Sequence, residues 1–389
     1  MTATGIRVDC SRGAPPSASV RIDRPVHAAR ALLGRSPDEL LAAVPLLFTV
    51  CSTAQTAAAW HALAAAEGRA VSGELIVAHG VLVRLEVARE HLWRMLIDWP
   101  RFTDVPAAPE ALVAMRQIVA SGSAGLFDDS APRAAFVPEP VLTIRREMLE
   151  SVLNALDDLL EEHVLGLRPE QWLRLRTLED LERYVSDARG TAAALLGLVR
   201  RRRWQSAAAA APHYLPPLPA SDLATRLDEP DADRFVEAPE WLGRPCETSP
   251  LERQRQSELL TAVLDAHGPG LYARAVAAVR ELAATSLAVR DLLEGREPPP
   301  IAASRYAPGA AIAQVEAARG RLLHRVRVEA GRVVAYRIVA PTEWNFHPEG
   351  ALPRAVAALD SADADELNAQ ADLLITLLDP CVPYSLEVH

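Results

Sequence analysis

The chain has 389 residues, 50% of them hydrophobic, 24% charged and only 5% aromatic, with a formal net charge of −10. Such a length can bury a large core, while the acidic balance argues against nonspecific binding to phosphate backbones. Four cysteines are too few for a disulfide framework here and suit a reducing cytoplasm.

Alanine and leucine dominate, which favours helix over strand. The first 16 residues lack the apolar core of a secretory signal. No stretch reaches the ~18 unbroken apolar residues of a membrane span. Residues 1–20, small and polar, read as a loose arm or an edge strand. Ser36-Pro37-Asp38-Glu39 is a helix start: serine caps, proline fits the first position and Glu39 closes a capping box. Pro45 is expected to break or kink that helix and leave Phe48 to Cys51 in a turn. A second helix follows over about 52–67 and stops at Gly68. Cys51 at its N-terminus has two readings: a thiolate stabilised by the helix dipole, or a small buried hydrophobe.

A third helix is expected over 73–98, with Glu90 and Arg94 spaced as an i,i+4 pair and His91 as a packing residue. Residues 103–140, rich in proline, alanine and glycine, read as a long connection with short elements. Over 142–165 the pattern is amphipathic. Met148, Val152, Leu156, Leu159 and Leu160 share one face, and Asp157, Asp158, Glu161 and Glu162 a solvated one. Residues 178–203 read as one helix, with Arg200 to Arg203 as its basic end rather than a nucleic-acid patch. The proline-rich 205–235 segment reads as a surface excursion.

Helices over 253–267 and 271–294 are split by Gly268-Pro269-Gly270. A β-hairpin spans 322–339, turning at Ala330-Gly331-Arg332. Residues 341–350 form a loop, and a last helix over 363–378 leads to Asp379-Pro380-Cys381. Cys10 is expected as a free surface thiol and Cys246 as a packing residue. The fold class is mainly α with a small antiparallel β element, in one domain over 1–389. Dinucleotide, P-loop and nucleophile-elbow motifs are absent, as is CxxC.

Six segments, in order, resemble the large subunit of nickel–iron hydrogenases. Arg21-Ile22-Asp23 is similar to its early Arg-Ile-Glu, and Thr49 to Gln55 to its first metal motif, a CxxC followed by a histidine. Glu90-His91-Leu92-Trp93 through Asp98 resembles the helix after that motif, and Cys246 to Arg253 its Glu-x-Gly-Pro-Leu-x-Arg segment. Glu316 to Gly320 followed by Pro341-Thr342-Glu343-Trp344-Asn345 resembles Glu-Ala-Pro-Arg-Gly … Pro-Thr-x-Trp-Asn. Asp379-Pro380-Cys381 resembles the C-terminal Asp-Pro-Cys-x-x-Cys-x-x-His.

The departures refine the match. Phe48 stands where the first cysteine of the first pair would be, and Tyr384 where the second of the last pair would be. Gln55 replaces the histidine, and Glu387 falls where the final histidine would. By the match, Cys51 corresponds to a nickel–iron bridging ligand and Cys381 to a terminal nickel ligand. Two thiolates do not make a four-sulfur nickel site, so nickel is not expected to bind stably.

This pattern resembles the HupK-type hydrogenase expression/formation proteins, accessory relatives of the large subunit. The resemblance implies a cytoplasmic assembly scaffold rather than an enzyme, holding the iron carbonyl–cyanide part of the cofactor on Cys51 and Cys381. It also implies maturation chaperones and the hydrogenase large subunit as partners. Arg319 either donates to cyanide nitrogens or makes a structural ion pair, and Asp379 orients Arg319 or caps its loop. The other readings are a metal-free mimic that engages chaperones and a divergent oxidoreductase.

Large subunits of that family carry a C-terminal extension that is cleaved once nickel is in. Here His389 stands eight residues after Cys381, and Tyr384 lacks the thiol that cleavage would lock in place. The mature protein is expected to end at His389. Its intact mass should be the same from nickel-fed and nickel-starved cells; a nickel-dependent loss of C-terminal residues would favour the divergent-enzyme reading.

Overall fold

The computed structural model describes residues 5–12, 15–23, 26–129, 134–359 and 363–389. Ser36 caps the helix Pro37–Leu47, and Glu39 reaches back to the Ser36 amide at 2.7 Å. Pro45 does not end this helix, which runs on to Leu47. A proline in the last turn forfeits a single ladder bond, so the turn survives. The chain then bends through Phe48 to Cys51 into the helix Ser52–Glu67, ended by left-handed Gly68.

The Ser52–Glu67 helix is buried almost all round, with Ala57, Ala58, Ala59, Ala62 and Ala64 fully enclosed. Its small side chains let neighbouring elements approach closely from every side. It packs against the helices Pro37–Leu47 and Gly73–Trp93 and against a four-stranded sheet. The Gly73–Trp93 helix continues through a π turn, Arg94–Asp98, and a 3₁₀ turn, Trp99–Phe102.

Nine strands form three sheets among the described residues. β1 (Gly5–Ser11) lies between β2 (Ser17–Asp23) and the C-terminal strand, antiparallel to one and parallel to the other. β3 (Glu240–Trp241) and β4 (Arg244–Pro245) make a minimal ladder. β5 (Ile301–Ala307), β6 (Ala310–Ala317), β7 (Gly320–Glu329) and β8 (Arg332–Val339) form an antiparallel meander in sequence order. β9 (Tyr384–Val388) completes the first sheet.

The mainly helical class holds, and several sequence expectations change. In the described part of the N-terminal segment, β1 is not loose or an edge but the central strand, burying Ile6, Val8 and Cys10, while β2 lies at the edge of the same sheet. Residues 1–4 and 13–14 of that expected arm, and the side chain of Asp23, lie outside the described residues. Cys10 is therefore not a surface thiol, and burial pushes its pKa up to about 11. The 103–140 connection contains a 16-residue helix, Pro109–Ala124. Its small residues serve close packing, since Gly122 abuts the Leu85 side chain and Gly125 that of Leu149. Asp157 is not solvated: it is 1% exposed, faces Arg290 at 3.6 Å, and burial raises its pKa.

Residues 178–203 form two helices, Leu178–Asp187 and Thr191–Arg201. They part at Gly190 (φ 118°), where a Cβ would sit 2.5 Å from the Val164 carbonyl oxygen. The expected pair over 253–294 is four shorter helices, Pro250–Gln254, Glu258–His267, Leu271–Ala283 and Thr285–Leu293. The expected 341–350 loop begins with the helical turn Pro341–Asn345, and the last helix is Ala364–Leu378.

The 205–235 segment is not a surface excursion. Leu215, Leu218, Leu223, Leu227 and Phe235 join Cys246, Ile312, Leu323 and Trp344 in a second core cluster. Alternation along β6 explains the arrangement: Ala311 and Ala313 face the Ser52–Glu67 helix side, and Ile312 faces this second cluster. No helix among the described residues is long and apolar enough to cross a membrane.

Candidate functional site

Cys51 sits at the N-cap of the Ser52–Glu67 helix in a left-handed conformation (φ 55°, ψ 36°) and is 7% exposed. A non-glycine residue there costs about 1–2 kcal/mol, a strain that surrounding contacts must hold in place. Its side chain makes no capping bond. The Glu86 carboxylate, from the next helix, does so instead, accepting from the amides of Thr53 and Ala54, each at 2.8 Å. This changes the electrostatics expected from the helix dipole. Burial pushes the Cys51 thiol well above its ordinary range; Arg319 draws it down, while Glu86 and Glu90 push it further up. These surroundings favour the protonated thiol over a dipole-stabilised thiolate.

Arg319 lies in the tight turn between β6 and β7 and is 4% exposed. Its Nη1 donates to Cys51 Sγ at 2.9 Å and to Glu90 at 3.1 Å, and its Nη2 lies 3.3 Å from Asp379. The turn is clamped from three sides. The Asn345 amide donates to the Arg319 carbonyl at 3.2 Å and accepts from the Thr248 amide at 2.9 Å. Arg253 donates to the Ala318 carbonyl at 3.0 Å. Behind it, Glu281 accepts from Arg253 at 2.6 and 2.7 Å and is bridged to His91 at 2.8 Å. Gly320, with φ 131°, runs so close to Thr248 that a Cβ would lie 2.5 Å from its carbonyl oxygen. The scattered sequence segments therefore form one brace around a single guanidinium.

Asp379, the left-handed C-cap of the Ala364–Leu378 helix (φ 53°), pairs with both Arg94 and Arg319. Arg94 also donates to the Pro380 carbonyl at 3.0 Å, which ties down the Asp-Pro-Cys loop. Half-buried Cys381 is met by the Thr342 hydroxyl, which donates to its Sγ at 3.0 Å and accepts from its amide at 3.3 Å. The two thiols are close enough that charge on Cys381 raises the pKa of Cys51. Both line one cavity of about 220 Å³ with Arg319, Thr342 and Gln55. This cavity shares Arg319 and Cys381 with a wider cleft of about 900 Å³ flanked by Glu90, Arg94 and exposed Trp93.

All four sequence candidates, Cys51, Cys381, Arg319 and Asp379, thus meet at one place. Asp379 lies beside Arg319 and stands at the C-cap of its helix, where its backbone amide donates to Ile375. Glu90 and Arg94 do not pair with each other as their spacing suggested; they reach forward to Arg319 and Asp379. His91 is more than a packing residue, since it completes the Glu281 brace. Glu86 and Thr342 carry no assignment from sequence. Thr342 lies inside a recognised motif, which was its signal; Glu86 had none. Phe48 supplies an apolar wall, and Tyr384 turns its hydroxyl to Thr376 and Arg101 rather than to Cys381. Cys246 packs in the second core cluster, as expected.

This architecture is that of the nickel–iron hydrogenase large subunit. The chain matches the nickel–iron–selenium hydrogenase of Desulfovibrio vulgaris Hildenborough with a TM-score of 0.61 at 15% identity, over 95% of this chain and 94% of that one. The enzyme of Desulfomicrobium baculatum matches with a TM-score of 0.56 at 17% identity, over 95% and 94%. These likenesses are of fold. No protein-family model matches the chain.

In sequence it is 32% identical over 382 residues to the hydrogenase expression/formation protein HoxV of Cupriavidus necator, covering 94% of this chain and 91% of that one. It is 29% identical over 391 residues to HupK of Azotobacter vinelandii, covering 98% and 97%. The chain belongs to this family of hydrogenase expression/formation proteins.

Proposed function

We propose that this chain is a cytoplasmic assembly scaffold in hydrogenase maturation, holding the iron carbonyl–cyanide fragment of the cofactor as cargo on Cys51 and Cys381 before passing it on. The observation that carries this reading is the pairing of two thiols with Arg319 and Thr342 in one cavity that meets a wide cleft. An iron atom already bearing carbon monoxide and cyanide needs few protein ligands, and soft thiolates suit it. The Arg319 guanidinium supplies donors for cyanide nitrogens, and its Nε has no hydrogen-bond partner among the described residues. Loading displaces the Cys51 proton, because the metal ligand is the thiolate.

A carrier must also let go. Two thiols instead of four make a weaker hold, and Phe48 and Tyr384, at the positions of the missing ligands, offer no replacement thiol. The partners in this scheme are the chaperones that deliver the fragment and the hydrogenase large subunit that receives it. Infrared spectroscopy of anaerobically purified protein tests the proposal, because metal-bound carbonyl and cyanide absorb where polypeptide does not. Bands in that window with about one iron per chain are expected. Their absence from protein made alongside a working maturation system would leave the metal-free, chaperone-binding reading.

A further inference from the structure

We propose that Gln55 is a further ligand-binding residue of the cavity, a hydrogen-bond donor aimed at the cargo by a buried relay through His324 and Tyr336. The inference rests on the scaffold reading and adds to it the acceptor that the cargo must present on this side.

Gln55 lies one helical turn after Cys51, its amide bonded to the Cys51 carbonyl at 2.9 Å, so the two share a helix face. It is 6% exposed and forms part of the cavity wall with Arg319 and Thr342. Its Oε1 lies 2.8 Å from His324 Nε2, and His324 Nδ1 lies 2.6 Å from the Tyr336 hydroxyl. His324 comes from β7 and Tyr336 from β8, so the sheet holds both members of the relay. Both are buried.

The direction of the relay follows from counting protons. His324 is fully enclosed, and burial lowers its pKa to about 3, so it carries a single N–H. Among the described residues, His324 is the one hydrogen-bond partner of the Tyr336 hydroxyl. A buried O–H left without an acceptor is costly, so Tyr336 donates to Nδ1. The imidazole proton is then on Nε2 and is donated to Gln55 Oε1. With its oxygen committed, Gln55 has only its NH₂ edge to offer the cavity.

The wall around Cys51 thus presents N–H donors from Gln55 and Arg319. The ligand that fits is an anion with outward lone pairs, as cyanide nitrogen has and carbon monoxide offers only poorly. A histidine at position 55 would titrate and could ligate metal. An amide does neither, so Gln55 orients the cargo without tightening the grip on iron.

The test compares anaerobically purified wild type with Gln55→Leu, Gln55→Glu and Tyr336→Phe by infrared spectroscopy and iron content. The expected result is a displaced cyanide stretch in Gln55→Leu. Tyr336→Phe should move the same band in the same direction but less, because the imidazole is then free to change tautomer. A purely structural role would leave the band in place. Gln55→Glu keeps an acceptor for His324 but sets a negative charge against an anionic cargo, and its iron content should fall about tenfold. It also covers the case in which Gln55→Leu fails to fold. Cyanide bands unmoved in Gln55→Leu and Tyr336→Phe, or iron retained in Gln55→Glu, overturn this inference alone. A wild type with no such bands overturns the scaffold reading and this inference with it.

Discussion

Cys51→Ala and Cys381→Ala are each expected to reduce hydrogenase activity in the producing cell to background while leaving this chain folded. The folded part follows from packing. Cys51 is small, and its loss leaves Arg319 still paired with Glu90 and Asp379. Removing one sulfur from such a site costs about 1 kcal/mol, a fraction of ordinary folding stability. Arg319→Ala is the wrong probe for the same question. It would remove one of two arginine partners from each of Glu90 and Asp379, which keep Arg89 and Arg94, and so disturb the buried charges as well as the thiol site. Cys10→Ala and Cys246→Ala are the matched controls, since both thiols are buried in other parts of the core and should leave hydrogenase activity unchanged. The measurement is hydrogen oxidation in cells carrying each variant, with thermal melts of the purified proteins alongside. Normal activity with Cys51→Ala and Cys381→Ala would make the thiols bystanders. Loss with all four variants would point to stability instead.

The parts of this structure that the sequence made legible are those where local chemistry is decisive. Ser36 and Glu39 declare a capping box, Gly68 a left-handed stop, and the alternation from Leu322 to Val339 a hairpin; all three are present. Misreadings cluster where composition and role diverge. Alanines and glycines over 103–140 look like loop, yet they let the Pro109–Ala124 helix press against Leu85. Alanine-rich β5 and β6 show little strand propensity, and they pair because the flat, small-residue face of β6 fits the Ser52–Glu67 helix. The prolines over 205–235 suggested exposure, but the leucines between them close the far side of that sheet.

The site was legible in a different way. Motif resemblance named Cys51, Cys381, Arg319 and Asp379 across more than 300 positions of chain, something no periodicity argument does. Glu86 escaped because its role as a cap for another helix is purely tertiary. Glu90 and Arg94 were misassigned for the converse reason. Their i,i+4 spacing offers a local pair, but Glu90 pairs with its neighbour Arg89 and with Arg319, and Arg94 pairs with Asp98 and Asp379.

Mild acid is expected to unfold this protein, through histidines that are buried neutral. His61 Nε2 lies 3.0 Å from His79 Nδ1, and His79 Nε2 lies 2.7 Å from the Ala135 carbonyl. The carbonyl accepts, so His79 carries its proton on Nε2 and its Nδ1 accepts from His61. Protonating His79 would set N–H against N–H in a site walled by Trp60 and Phe136. Burial lowers the pKa of His61 to about 3, of His79 to about 4 and of His324 to about 3. Unfolded histidine titrates near ~6.5. Between these values the unfolded chain binds more protons than the folded one, so stability is complete above about pH 6.5 and falls as the pH drops. At pH 5 each histidine forfeits about 2 kcal/mol, or about 6 kcal/mol for three, comparable with the whole stability of many domains. Glu86, whose pKa burial raises, acts in the opposite sense as it protonates and softens the lower end of the curve. Urea midpoints measured from pH 7.5 to 5.0 should fall steeply; the unfolding free energies taken from them should change with a slope to which these three histidines give nearly three protons, and His79→Gln should reduce that slope by about one. A midpoint that stays constant over this range, or a slope unchanged by His79→Gln, would remove the buried imidazoles as the cause. Because His61 belongs to the same helix that begins at Cys51, acid that opens the pair should also release the thiol site.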